Sequence, residues 1–414
     1  MSPRSASPDP AGHGSGHAPG HHTGHHTDHP THPHTARHAH VAAGEVHGHL
    51  LTPGGWLRGR LHWGADGRIS AIDGEPVSEP EVRHGRLPLV LPGFVDLHVH
   101  GGGGRDTMEA GDALPTIART HARHGTTALL ATTMTAPPDE LQAAMAAMGP
   151  ACQQRQPGMA RVLGVHLEGP YINPGRLGAQ PDHARPASTD ELQRLHALAP
   201  IRLITLAPEI PGNLEWIARL RAAGFVVQIG HSAGSYEDGV AALRQGAAGF
   251  THLFNAMSGL HHRAPGMVGA ALAHATHAEI IPDLLHVHPG AIRAALRAIP
   301  CLYCVSDSTA ATGMPDGEYQ LGSHRVRKCL GGVRLEDGTL AGSTLTLDQA
   351  LRNLVFELGL EIDEASRRVS THAADFIGAA DRGRLAPGAW ADLVVLDTAL
   401  QLQRVLVEGE TIES

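Results

Sequence analysis

Aromatic residues make up only 3% of the 414-residue chain, so the interior must be filled mostly by Ala, Val and Leu. Net charge is −9 with His counted neutral, which excludes a polyelectrolyte binder of nucleic acid. There are four cysteines, Cys152, Cys301, Cys304 and Cys329, too few for a disulfide framework in a chain this long. Cys301 and Cys304 have CxxC spacing, but they sit in the apolar run CLYCV and no second pair follows, so they read as buried thiols. No apolar run approaches the roughly 18 residues of a membrane span. No N-terminal apolar stretch reads as an export signal. The expected location is the cytoplasm, with no membrane partner.

What is present suits a folded protein. Hydrophobic residues reach 42% and charged residues 18%, enough for one large domain or two ordinary ones, and too apolar for a wholly disordered chain. Fifty glycines and 29 prolines predict many turns. Histidine is the outlier at 32 copies, equal to Lys and Arg together. Eleven of these crowd residues 1–40 among Gly, Pro, Ser and Thr. That segment is expected to be a disordered tail, able at most to hold divalent ions loosely.

From residue 41 the pattern turns to short strands and turns, and the C-terminal stretch GRLAPGAWADLVVLDTALQLQRVLVEGETI reads the same way. Residues 41–91 and 381–414 are therefore expected to build one small β domain from both chain ends. Residues 92–380 differ. Eight apolar runs recur there: 89–99, 126–134, 161–167, 201–208, 225–231, 249–254, 279–287 and 301–307. Helical stretches such as DALPTIARTHARHG and SYEDGVAALRQG separate them. Buried strands alternating with helices argue for an α/β protein with a parallel sheet, and eight of them for a (β/α)8 TIM-like barrel. A doubly wound sheet is disfavoured because no G-x-G-x-x-G follows the first strand; GGGG at 101–104 lacks the remaining spacing.

The ends of these runs carry the chemistry. His98 and His100, two apart on a strand, face the same side. Alone, an H-x-H is better explained by two ordinary surface or core histidines. The next strand ends add Glu168, His231, His252 and Asp307. Six candidate ligands at the C-terminal mouth of one barrel coincide with where barrel enzymes keep their catalytic groups. Imidazole and carboxylate without thiolate suit zinc first, with iron, manganese or cobalt as alternatives. GHSAG (230–234) superficially matches a nucleophile elbow, but it competes for a proposed ligand's strand end and leaves the other five residues unused.

The segments PGFVDLHVHG, HLEGPY, GHS, THLFNAM, VSDS and AGSTLT, in that order, resemble the N-acetylglucosamine-6-phosphate deacetylases of the amidohydrolase superfamily. The resemblance covers about residues 45–410. It implies a barrel plus a small β-sandwich, and hydrolysis of a phosphorylated amino sugar to glucosamine 6-phosphate and acetate. It implies that Glu168, His231 and His252 hold the principal metal, and that His98 and His100 serve a second, giving one or two ions per subunit. It makes Asp307 the catalytic acid/base. It assigns Asn255, Ala256, Arg263 and His286 to the sugar phosphate, and Leu340, Ala341 and Gly342 to a substrate-contacting loop. It implies a homodimer in which Arg263 reaches the neighbouring subunit's site. One departure stands out: where the family often has Gly-x-His touching substrate, this chain has Gly178-Ala179-Gln180, leaving Gln180 or the nearby His183 to make that contact. A cyclic-amide hydrolase, whose metals are commonly bridged by a carboxylated lysine, is disfavoured because Lys328, the only lysine, lies far past the relevant strand. The galactosamine epimer stays open as substrate. A non-catalytic metal-binding scaffold is the rival of another class, and it would be expected to have lost ligands.

Overall fold

The computed structural model describes residues 41–413; the expectation of a disordered tail lies outside them. The chain begins with an antiparallel meander, β1 (Gly44–Thr52), β2 (Gly55–Trp63) and β3 (Ile69–Pro76). Next, β4 (Leu89–Pro92) lies parallel to β1. At Gly93 the chain leaves this sheet and begins β5 (Phe94–Val99). The run 89–99, read above as one strand, is thus two strands in two sheets. Pro92 has no N–H to continue a ladder, and a Cβ at Gly93 would lie 2.3 Å from the Thr127 side chain, so glycine permits the crossing.

After β5 a small hairpin, β6 (Gly101–Gly102) and β7 (Arg105–Asp106), turns through Gly103 and Gly104, both at positive φ. Seven strands follow: β8 (Thr126–Thr132), β9 (Arg161–Glu168), β10 (Ile201–Leu206), β11 (Val226–Ile229), β12 (Gly249–Phe250), β13 (His277–Ile280) and β14 (Cys301–Cys304). Six of the strands form a parallel sheet in the order β12-β11-β10-β9-β8-β5, and β13 pairs with β14. Backbone hydrogen bonds join the two groups at both ends. Leu253 N–H donates to Glu279 O at 2.9 Å, and Asp307 N–H donates to His98 O at 2.9 Å. Every residue of β5 and β8 is buried, as strands covered on both faces must be.

Helices fill the intervals. Ala113–Arg123 buries Leu114, Ile117, Ala118 and His121, spaced to share one face. Tyr236–Gln245 opens on a capping box, in which Ser235 Oγ accepts from Asp238 N–H at 3.2 Å while Asp238 accepts from Ser235 N–H at 2.8 Å. It stops at Gly246, whose φ of 107° suits glycine. The largest fully buried side chains are few, Tyr171, Tyr303, Phe94 and Phe250 among them. Leu, Ile, Val and Ala fill the remainder, as the scarcity of aromatics requires.

The sequence reading missed a three-stranded antiparallel sheet after β14: β15 (Gly317–Leu321), β16 (His324–Cys329) and β17 (Gly332–Arg334). It packs Leu321, Val326 and Val333 against Met134, Ala311 and Ala341. Finally β18 (Leu393–Leu396), β19 (Leu402–Val407) and β20 (Glu410–Ile412) return to the first sheet. That sheet has seven strands in the order β20-β19-β18-β4-β1-β2-β3. It has its own core, including Leu50, Leu61, Trp63, Val90, Leu393 and Leu406. Among the described residues no helix is long and apolar enough to cross a membrane.

Candidate metal centre

Five of the parallel strands, β5, β9, β11, β12 and β14, deliver polar residues to one place. His98 and His100 project from the end of β5, and Glu168 is the last residue of β9. His231, His252 and Asp307 follow β11, β12 and β14. Each of these three has a positive φ (51°, 27° and 49°), a backbone region non-glycine residues seldom occupy and one that commonly costs about 1–3 kcal/mol. The left-handed turn at each of these candidate ligands comes two or three residues after its strand has ended, at Ile229, Phe250 and Cys304.

Glu168 sits at the centre, with one oxygen for each pair of imidazoles. Its Oε1 lies 3.2 Å from both His231 Nε2 and His252 Nε2. Its Oε2 lies 3.1 Å from His100 Nε2 and 3.4 Å from His98 Nε2. The ring nitrogens approach each other at 3.1 Å within each pair. Asp307 Oδ1 is 3.4 Å from His100 Nε2 and 3.6 Å from His98 Nε2. For a tetrahedral ion with bonds of about 2.0–2.1 Å, neighbouring ligand atoms stand roughly 3.3–3.4 Å apart. The donor set therefore fits one ion on Glu168, His231 and His252, and another on Glu168, His98 and His100.

Outer contacts orient the rings. His98 Nδ1 meets Glu279 Oε2 at 2.9 Å, so Nδ1 carries the donated proton and Nε2 is the nitrogen turned toward Glu168. Glu279 Oε2 also accepts from His252 N–H at 3.1 Å. His231 Nδ1 donates to Arg176 O at 2.8 Å, which leaves its Nε2 free as a ligand. Burial alone would push His98 down, but Glu168, Asp307 and Glu279 together hold it well above the ordinary imidazole value. Burial likewise works against ionised Glu168, yet His98, His100, His231 and His252 hold its carboxyl well below the usual range. A divalent cation would replace protons in this role. Sequence reasoning did not single out Glu279; its signal was a carboxylate heading the apolar stretch Ile280–Ile281–Pro282.

Above the cluster opens a cavity of about 250 Å³. Of the residues expected at the site, His100, Glu168, His231, His252, Asp307, Ala179, Gln180, Asn255, Ala256, His286, Leu340 and Gly342 line it. His98 lies fully buried beneath. Met134, Gly178, Leu321 and Thr339 also line the cavity and were not foreseen; Leu321 comes from the unforeseen sheet. His286 Nδ1 is held by Asp283 Oδ2 at 2.6 Å. Gln180 Nε2 donates to Glu168 Oε2 at 2.6 Å. Two expected residues stand elsewhere. Ala341 is fully buried among Leu321 and Val333 because its N–H is tied to Val333 O at 3.0 Å; only its neighbours reach the cavity. Arg263 is exposed, with its guanidinium Nη1 at 2.7 Å from His262 Nε2, on a turn closed by Ala264 N–H donating to His261 O at 3.0 Å. It does not line the cavity of its own chain. His183 lines a separate neighbouring cavity with Asp106.

Parallel strands presenting four imidazoles and two carboxylates at one mouth define a metal-dependent hydrolase. The profile of the Amidohydrolase family matches residues 89–412, and the chain belongs to that family. It is 41% identical over 368 residues to the N-acetylgalactosamine-6-phosphate deacetylase of Escherichia coli O157:H7, covering 87% of this chain and 97% of the relative. It is 37% identical to the N-acetylglucosamine-6-phosphate deacetylase of Lysinibacillus sphaericus, covering 84% and 92%. Among solved structures, a variant of the Mycobacterium smegmatis N-acetyl-D-glucosamine-6-phosphate deacetylase in complex with N-acetyl-D-glucosamine-6-phosphate superposes with a TM-score of 0.82. That pair shares 32% identity over 91% of this chain and 100% of the other.

Proposed function

We propose that this protein is a metal-dependent deacetylase that hydrolyses N-acetylglucosamine 6-phosphate to glucosamine 6-phosphate and acetate in amino-sugar breakdown. The observation that carries the reading is Glu168, with one oxygen toward each histidine pair and Asp307 beside it, lining one cavity. The deacetylase relatives, aligned over most of their length, supply the substrate class. In this reading the eight parallel strands make a TIM-like (β/α)8 barrel over residues 92–380. The sheet from both ends (41–91 and 381–414) makes the small β-sandwich.

Glu168, His231 and His252 would hold the principal ion, and His98 with His100 a second. Zinc is the first choice, with iron, manganese or cobalt as alternatives. The ion, when bound, supplies Lewis acidity, lowering the pKa of a bound water toward about 7 and polarising the amide carbonyl. The protein's own groups then move the protons. The Asp307 carboxylate accepts the water's proton as the water oxygen attacks the acetamide carbon. It returns that proton to the amine nitrogen as the C–N bond breaks, acting first as base and then as acid. His286, Asn255 and Ala256, on the cavity wall, would orient the sugar phosphate. Exposed Arg263 would serve a neighbouring subunit in a homodimer. The location would be the cytoplasm.

A second reading has one specific observation in its favour: the 41% identical relative is a galactosamine-6-phosphate deacetylase. Acetate release from N-acetylglucosamine and N-acetylgalactosamine, each with and without 6-phosphate, separates the two. Preference for the phosphorylated gluco sugar is expected. Preference for the galacto epimer would transfer the function to the second reading, and no acetate from any sugar by metal-replete protein would sink both.

A further inference from the structure

Gln180 stands where the family resemblance leads one to expect a substrate-touching histidine, yet both ends of its amide are already engaged by the protein. Its Oε1 accepts from Thr135 N–H at 2.6 Å. A backbone N–H can only donate, so this contact fixes which end of the amide is oxygen. The other end, Nε2, therefore donates to Glu168 Oε2, also at 2.6 Å. The side chain is 5% exposed, and its own N–H is tied to Leu177 O at 2.9 Å. Thr135 is itself fully buried and packed against Gly169, on which a Cβ would fall 2.1 Å from its Oγ1. Gln180 thus bridges a backbone amide after β8 to the one carboxylate shared by both halves of the cluster.

We propose that Gln180 is a positioning residue of the metal centre rather than a substrate contact. Its N–H sets the plane of the Glu168 carboxylate, so that Oε2 faces His98 and His100 while Oε1 faces His231 and His252. A freely turning carboxylate would have to be ordered by the incoming ion, at a cost in affinity. A ligand held in place beforehand avoids that cost, and groups that orient metal ligands in this way are commonly worth 10–100-fold in metal affinity. The inference rests on reading the Glu168 cluster as a metal site, and is independent of which sugar is cleaved.

The test is zinc titration of the chelator-treated full-length chain in competition with nitrilotriacetate, which removes loosely held ions, together with KM for the amino-sugar phosphate at saturating zinc. Gln180→Met keeps the length of the side chain and removes both hydrogen bonds. Gln180→His restores one donor and one acceptor on a neutral ring. Gln180→Met is expected to weaken zinc binding 10–100-fold with KM within threefold of wild type, and Gln180→His to keep zinc affinity within threefold. Unchanged zinc affinity in Gln180→Met would overturn the proposal. With a tenfold rise in KM, that result would return Gln180 to the substrate. An equal loss in both variants would also overturn it. If Gln180→Met does not melt cooperatively, Gln180→Asn, which keeps the amide one methylene short of Glu168, takes its place with the same expected loss. Wild-type protein that holds no zinc against the competitor would refute the metal reading itself, a result distinct from all of these.

Discussion

At the scale of single residues, the proposed function gives the residues of the site separate tasks, holding the ion and moving protons. His98 and His252 each meet Glu168 and are each held by Glu279, whereas Asp307, at the cavity, meets only His98 and His100 and has no such outer partner among the side chains of the site. Asp307→Asn is therefore expected to keep the fold and most metal binding and to lose about 10²–10⁴-fold in turnover, because an amide cannot take the water's proton. The substitution is a fair test of chemistry: Asp307 has a φ of 49°, and Asn tolerates that region as well as Asp does. Near-normal turnover in the metal-replete variant would remove Asp307 from the mechanism. Arg263 poses the opposite case, a residue expected at the site but exposed in its own chain. If it binds phosphate in a neighbouring subunit, Arg263→Ala should lower kcat/KM for the phosphorylated sugar by roughly 30–1,000-fold, the range for truncating a buried charge pair. The unphosphorylated sugar should be spared. Mixing Arg263→Ala with Asp307→Asn subunits should recover some activity, and none after verified mixing would argue against supply in trans.

At the scale of elements, helix caps and strand ends hold the mouth in shape. The helix Tyr236–Gln245 begins just after His231, and its capping box satisfies N–H groups that would otherwise be unpaired. Ser235→Ala should cost about 1 kcal/mol in denaturant unfolding and leave kcat unchanged, since Ser235 touches no ligand. The strands that lead to the candidate ligands were legible because each is a mostly apolar run followed within a few residues by His, Glu or Asp. Other features were not legible, for local reasons. In 89–99 both sides of the Pro92–Gly93 break are apolar, so hydropathy shows no seam. The run 279–287 continues past the end of β13 because Leu284 and Leu285 are loop residues, the latter exposed. The strands β15 to β17 are short, half-exposed and mixed in polarity, so no apolar run marks them. Hydrogen bonds such as His98 to Glu279, which spans 181 residues, have no local signature at all.

At the scale of the whole molecule, an ion-pair network ties the parallel strands to the seven-stranded sheet. Glu408, in the turn between β19 and β20, accepts from Arg161 at 2.7 Å, Arg155 at 3.2 Å and Arg382 at 2.5 Å, and Arg382 also meets Asp392. Burial opposes the Glu408 charge, but Arg161 and Arg382 overcome it and bring its pKa from 4.5 down to about 2. A carboxyl whose folded pKa is depressed stabilises the protein above its unfolded pKa, and loses that contribution as pH falls through the interval. Here the interval runs from about 4.5 down to about 2, and the contribution is on the order of 3 kcal/mol. Asp392 acts in the opposite sense, since burial holds its carboxyl above the ordinary value despite Arg382, and offsets part of the loss. Glu408→Gln should be less stable than wild type at pH 7 and lose less on acidification. Urea midpoints measured between pH 5 and 3 test this, and parallel acid limbs in the two proteins would show that the network carries no such linkage.

The seven-stranded sheet also imposes a timetable on synthesis. β4 pairs with β18, Pro92 opposite Leu393, so one edge of β4 has no partner until roughly 300 more residues have been made. At 5–20 residues per second that is about 15–60 s on the ribosome. Docked on β1 during this interval, the apolar strand Leu89–Pro92 would stand at an open sheet edge, the kind of edge that invites pairing between chains. Chains truncated before β18 should therefore aggregate more than the full chain, which their soluble fractions under the same expression conditions would check.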